Sequence, residues 1–188
     1  MASTQHWTSA DLEIFPDDDG KRYEIIAGKL FVSKQPHFYH QDLCGKIYSL
    51  LENWSSVTQL GKAVVAPGLI FAADDDVVPD VAWLSHQRLA TALEDDGKLH
   101  SAPDLIVEVL SPGSRNKRRD REAKLKLYSR RVSLNIWIVD WSAHAIEIYR
   151  QQDAELVLVA TKVRGDLLES NLLPGFSAQV DALFAGLS

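Results

Sequence analysis

The residue that most demands a chemical explanation is Glu108. It is the one interior charge of residues 104–110, Asp-Leu-Ile-Val-Glu-Val-Leu, a run of the kind that forms a strand buried on both faces. An ionised carboxylate in such a place is costly unless it is paired or binds a metal. A second acid, Asp80, follows Pro79 at the start of another apolar stretch. Two carboxylates brought to one point by neighbouring strands suit a hard, oxygen-seeking cation such as Mg²⁺. A lysine near that ion could orient an attacking water or neutralise charge growing on a phosphate. Purely structural roles stand beside these: a strand-start cap or turn residue for Asp80, and a core ion pair with an arginine of the following helix for Glu108.

The elements that must position these groups can be read from periodicity. Residues 7–11, Trp-Thr-Ser-Ala-Asp, place a hydroxyl three positions before an acid, which predicts a short helix ended by Pro16 and a turn at 17–20. Residues 22–26 and 29–33 read as a hairpin about Ala27-Gly28, with Glu24 in its first strand. Leu43, Ile47, Leu50 and Leu51 recur at helical spacing within 40–54. Residues 63–72 are β-rich but contain Pro67-Gly68, which predicts a bulged strand or two pieces. A turn of three aspartates is expected next, then a strand over 77–84 that carries Asp80, and a short helix over 85–93. Ser111-Pro112-Gly113-Ser114 breaks the 104–110 strand, and 116–131 reads as a helix with Ala123, Leu127 and Tyr128 on one side, Tyr128 packing its ring in the core. A buried strand over 134–140, antiparallel strands at 145–149 and 156–161, a last strand after Pro174-Gly175 and a helix at 180–184 complete the chain. With no repeat or linker, this order predicts one α/β domain, bordering on α+β, with a mixed central sheet flanked by helices.

Composition narrows the function classes. A chain of 188 residues, 46% hydrophobic and 24% charged, can bury a core without staples. Its one cysteine, Cys44, allows no intramolecular disulfide, which suits a reducing cytoplasm. The first fifteen residues lack a basic stretch followed by an apolar run, and no segment approaches the roughly 20 apolar residues that cross a bilayer, so no membrane partner is expected. A net charge of −6 argues against a protein that coats nucleic acid with its whole surface. Residues 115–131, however, hold nine basic and two acidic residues, a local +7 that leaves −13 on the remainder. Such a basic element on an acidic body suits a polyanion held at one site, and equally describes a solvated helix face.

Six segments in order carry a resemblance. They are 23–30 (YEIIAGKL), 36–41 (PHFYHQ), 77–84 (VVPDVAWL), 102–114 (APDLIVEVLSPGS), the four-residue spacing of Asp120, Lys124 and Tyr128, and 135–140 (NIWIVD). Together they resemble the Uma-type family of restriction endonuclease-like domains, within the PD-(D/E)XK nuclease superfamily, from about Trp7 to the C-terminal Pro-Gly-Phe. The resemblance implies a restriction endonuclease-like fold and a metal-dependent endonuclease acting on DNA, with Mg²⁺ as cofactor and Mn²⁺ as a substitute. It implies Asp80 and Glu108 as metal ligands and catalytic groups, and Glu24 as a further acid at the edge of the site. The superfamily's lysine lies two residues after the second acid, where this chain has Leu110. The family pattern offers Lys124 instead, from a helix on which Asp120, Lys124 and Tyr128 line one side. Asn135 stands where the family more often has an acid, and Ile136 replaces an aromatic residue. On this reading Arg115, Lys117, Arg118, Arg119 and Arg121 would grip the DNA backbone. Nucleases of this kind often pair to cut two strands, so a homodimer is the assembly to test for.

Other chemistries find less support. His40 and Cys44 are four apart on a predicted helix and could face the same way. There is no other cysteine, and His6, His86, His100 and His144 are scattered without ligand spacing, so a zinc site is not expected. His40 reads as a helper near the site or as a cap residue. No Gly-x-Ser-x-Gly elbow is present for a serine hydrolase. Two rival classes stand: a catalytically inactive binding or assembly module of the same fold, for which Leu110 is the main argument, and a hydrolase of small phosphorylated molecules.

Overall fold

The computed structural model describes residues 5–16, 19–110, 115–130, 135–153 and 155–187, with 115–120 described by backbone alone. A 3-10 helix, Ser9–Ile14, opens the chain, its start held by the Asp11 carboxylate, which accepts from the Thr8 amide at 2.7 Å and hydroxyl at 2.8 Å. Strands β1 (Arg22–Ile26) and β2 (Lys29–Ser33) form a hairpin that turns at Ala27 and Gly28. Both have positive φ, the two-residue geometry that matches strand twist. Helix α1 (Phe38–Thr58) follows. The stretch broken at Pro67-Gly68 is two strands, β3 (Gly61–Val65) and β4 (Leu69–Ala72), and these join different sheets.

The expected aspartate turn is mostly strand. Asp75–Val77 forms β5, in which Asp75 is buried because its carboxylate accepts the Ala27 amide at 2.7 Å, while Asp76 lies 3.4 Å from Lys98. Strand β6 is therefore shorter than expected, Val81–Ser85, and Asp80 lies in the connection just before it. The chain continues through α2 (His86–Ala92), β7 (Leu105–Leu110), α3 (Arg115–Ser129), β8 (Asn135–Asp140), β9 (Ala145–Gln152), β10 (Glu155–Lys162), β11 (Leu167–Glu169), β12 (Ser177–Gln179) and α4 (Val180–Phe184). Strand β11 carries no strong periodic signal and forms only by pairing with β12.

The central sheet has the order β10-β9-β8-β7-β6-β3, antiparallel except for β7 beside β8. A second sheet, β2-β1-β5-β4, lies apart from it. Two apolar cores flank the central sheet. On one side Leu43, Ile47 and Leu51 of α1 pack with Val81, Leu105, Val107, Trp137 and Leu183. On the other, Ile106 and Ile138 pack with Leu127 and Tyr128 of α3 and with Ile26, Leu69 and Val77 of the second sheet. Alternation along β7 thus sends Val107 and Val109 to the α1 side and Ile106 to the α3 side, the side to which Glu108 also projects.

Helix α1 is fastened to the sheet by polar contacts as well as burial. Trp83 Nε1 donates to the buried Ser55 hydroxyl at 2.8 Å, which itself donates to the Leu51 carbonyl at 2.7 Å. Ser55→Ala leaves the indole N–H buried without its partner, a loss of about 1–3 kcal/mol. Urea unfolding of the two proteins measures it; equal midpoints would mean that the bond contributes nothing.

Candidate active site

Parallel strands cannot be joined by a tight turn, so β7 and β8 need a crossover, and α3 supplies it. That requirement lays α3 over the face of β7 to which Glu108 projects. Lys124 and Tyr128, one turn apart on α3, both reach Glu108. Tyr128 Oη donates to Glu108 Oε1 at 2.6 Å and Lys124 Nζ donates to Oε2 at 3.1 Å. Lys124 Nζ also lies 3.0 Å from Glu24 Oε1 on β1, an oxygen that accepts the Val78 amide at 2.9 Å. Glu24, Glu108 and Lys124 are all buried.

Asp80 stands immediately before Val81, which pairs with Val107, so its backbone arrives beside Glu108. Its Oδ2 accepts the amide of Val109, the residue after Glu108, at 2.9 Å. Arg22 Nη1 lies 3.1 Å from Oδ1, and His40 Nε2 lies 3.2 Å from Oδ2. His37, not His40, caps α1, accepting the Tyr39 amide at 3.2 Å; His40 is buried one turn further in, against Asp80. Two strands, the loop before β6 and two helices therefore deliver Glu24, Glu108, Asp80, Lys124 and His40 to one end of the central sheet.

The carboxylates differ in their protonation. Burial raises the proton affinity of Asp80, but the hydrogen bond and charge of His40, the charge of Lys124 and the Val109 amide outweigh it and hold the pKa down to about 2. Burial pushes Glu108 up to about 8, opposed by Lys124, reinforced by Asp80 and Glu24, and opposed again by the Tyr128 hydrogen bond. Burial and the Glu108 charge push the Tyr128 phenol well above its ordinary range. For Arg22, burial opposes the charge, yet Asp80, Glu24 and Glu108 prevail and raise its pKa. Glu24, Asp80 and Glu108 thus face Arg22 and Lys124, with His40 beside Asp80, and the cost of burial falls on Glu108, whose proton affinity rises. A divalent cation would lower that cost, and carboxylate oxygens are the donors a hard ion prefers. The donor chemistry of these carboxylates suits such an ion.

One participant was not singled out from the sequence, and another was read there as core packing alone. Arg22 lies two residues before Glu24 on the same strand, so period-2 alternation places both on one face. Tyr128 packs in the core as expected, but its hydroxyl is also a partner of Glu108. The side chains of Arg115, Lys117, Arg118, Arg119 and Asp120 lie outside the described residues. Arg121 is tied to β9, where its guanidinium pairs with Glu147 and lies 3.3 Å from Tyr149 Oη.

Comparison with known proteins agrees with this architecture. The family model Uma2, described as "Putative restriction endonuclease", matches residues 9–181. The crystal structure of a "putative nuclease belonging to DUF820" from Anabaena variabilis ATCC 29413 superposes with a TM-score of 0.73 at 19% identity, covering 94% of this chain and 97% of that one. No curated protein matches.

The raised Glu108 pKa has a thermodynamic consequence with a definite sign. Between the ordinary value of 4.5 and about 8, the folded chain keeps a proton on Glu108 that the unfolded chain has lost. This group's contribution is fully present below pH 4.5 and fades as pH rises through 8. In chelator, denaturant unfolding from pH 5 to 8 is expected to include this downward slope, and Glu108→Gln to flatten it. An unchanged slope in the variant would place the titration elsewhere.

Proposed function

The chain belongs to the Uma2 family, and from that membership and its buried acid cluster we propose that it is a metal-dependent endonuclease that hydrolyses phosphodiester bonds of DNA. The observation that carries the reading is the convergence of Glu24, Asp80 and Glu108 on Lys124 and Arg22 at one end of the central sheet. Buried acids in this number stabilise a fold poorly, and perturbed titration of such a cluster is a mark of chemistry.

Asp80 and Glu108 would hold Mg²⁺, or Mn²⁺ in its place. A bound ion would polarise the phosphate and lower the pKa of a water. The protein's own groups do the rest. Arg22, His40 and the Val109 amide fix both oxygens of Asp80. Tyr128 orients Glu108. Lys124 keeps a positive charge where negative charge builds on the phosphoryl oxygens, a role that preorganised cations perform without reorganisation during reaction. The basic first turns of α3, from Arg115 to Arg119, would contact the DNA backbone without regard to sequence, so binding should weaken steeply with salt. Cutting both strands calls for two copies, so the active form would be a homodimer.

Supercoiled plasmid with Mg²⁺ or Mn²⁺ tests this. Wild type should nick or linearise it, and Asp80→Ala, Glu108→Ala and Lys124→Ala should each lower the rate by about 100-fold or more. Cleavage that survives both carboxylate changes would exclude the site. Leu110, where the superfamily carries lysine, favours a second reading, a non-catalytic module; salt-sensitive DNA binding with no ion-dependent cleavage by wild type would establish it.

A further inference from the structure

One donor set at this end of the sheet is unlike the acid cluster beside it. His40 and Cys44 are one turn apart on the buried side of α1, and each offers a ligand atom within 4.8 Å of an Asp80 oxygen. His40 Nε2 is 3.2 Å from Asp80 Oδ2, and His40 Nδ1 is 3.5 Å from Cys44 Sγ. All three residues are buried, with at most 7% of their surface exposed. Among the described residues, this is the one group of three or more His, Cys, Asp or Glu side chains whose ligand atoms lie within 4.8 Å of one another. The sequence placed His40 and Cys44 on one helix face but could not supply the third donor, which comes from the loop before β6.

The line Cys44, His40, Asp80 also has the order of a nucleophilic triad, but its thiol is unsuited to that task. Cys44 is 2% exposed, out of reach of a substrate, and burial with the charge of Asp80 pushes the thiol up. Nitrogen, sulfur and oxygen donors together are instead the ligands of a borderline cation of the zinc class, for which Mg²⁺ is a poor match.

We propose that His40, Cys44 and Asp80 form a second metal site, selective for a zinc-class divalent cation, that shares Asp80 with the acid cluster, so that the two kinds of ion exclude each other. On binding, a metal–sulfur bond replaces the S–H bond and the thiol proton passes to the buffer; the imidazole binds as its neutral form. Three protein ligands leave a fourth position for a water. The mutual exclusion rests on Asp80 serving the proposed function; the site itself does not.

The test is spectroscopic and needs no cleavage. Metal-stripped full-length protein is titrated with Co²⁺ alone, without nucleic acid. Because Cys44 is the chain's single cysteine, a thiolate-to-cobalt charge-transfer band in the near ultraviolet reports this site and no other. One equivalent is expected to produce the band, Zn²⁺ to bleach it and to shield Cys44 from a thiol reagent, and Cys44→Ser and Asp80→Asn to abolish it while near-ultraviolet circular dichroism stays that of wild type. Cobalt binding to wild type without the band, or thiol reactivity unchanged by Zn²⁺, overturns the site whether or not the variants fold. Excess Mg²⁺ should raise the apparent cobalt dissociation constant by about 10-fold or more; a constant indifferent to Mg²⁺ overturns the sharing of Asp80 and leaves the nuclease reading to its own assay.

Discussion

The fold is organised around an unfavourable charge balance. Glu24, Asp80 and Glu108 are each buried, and isolated carboxylates in such surroundings would cost several kcal/mol apiece. Their neighbours divide the burden unequally. Asp80 has three partners, one of them a main-chain amide, and stays ionised. Glu24 and Glu108 share a single lysine, and Glu108 holds its proton up to about pH 8. A core selected for stability alone would replace such a group with an apolar one of similar volume. The proposed function would account for its presence in the middle of a Leu-Ile-Val strand.

Topology explains how groups more than a hundred positions apart in the chain meet there. The one parallel pair in the central sheet obliges the chain to cross over after Glu108, and the crossover helix returns Lys124 and Tyr128 to the same carboxylate. On the opposite face α1 packs through Leu43, Ile47 and Leu51, and this apolar seam sets the depth at which His40 reaches Asp80. The hairpin of β1 and β2 is secured by Asp75 through the Ala27 amide, which holds the strand that carries Arg22 and Glu24. Apolar packing positions the helices, and the polar contacts then fix atoms to within hydrogen-bond distance.

Much of this was legible in residue order. The hairpin about Ala27-Gly28, the apolar face of α1, the buried strand with its lone acid and the basic crossover helix all follow from local periodicity and turn chemistry. What was not legible depends on pairing at a distance. Asp75 and Asp76 look like turn residues until β1 and β4 bracket them and the Ala27 amide and Lys98 satisfy them. The division of residues 63–72 between two sheets is decided by those partners and not by the segment itself. In the same way, Arg22 has an unremarkable place in a hairpin strand, and only the arrival of the Asp80 loop gives it a role. His40 and Cys44 could be placed on one helix face, but the donor that completes their cluster lies 36 positions beyond Cys44 and was invisible to local spacing.

Lys124 shows how one contact can be made from either of two elements. In the superfamily pattern the amine leaves the strand two residues after the acid, a spacing that puts both side chains on one face. Here that position is Leu110, whose side chain packs against the α3-side core. The amine arrives instead from above, on a helix that lies over the same face, and ends 3.1 Å from the carboxylate. The proposed chemistry needs a positive charge held next to the acid, and strand and helix can each provide it. The helical solution adds a dependence the strand lacks, since the placement of Lys124 relies on α3 staying docked. Tyr128 answers that need: one turn further along, fully buried, it anchors the helix through both its ring packing and its bond to Glu108. Lysine, acid and tyrosine thus form one mechanical unit in which the anchor of the helix is also the clamp on the carboxylate.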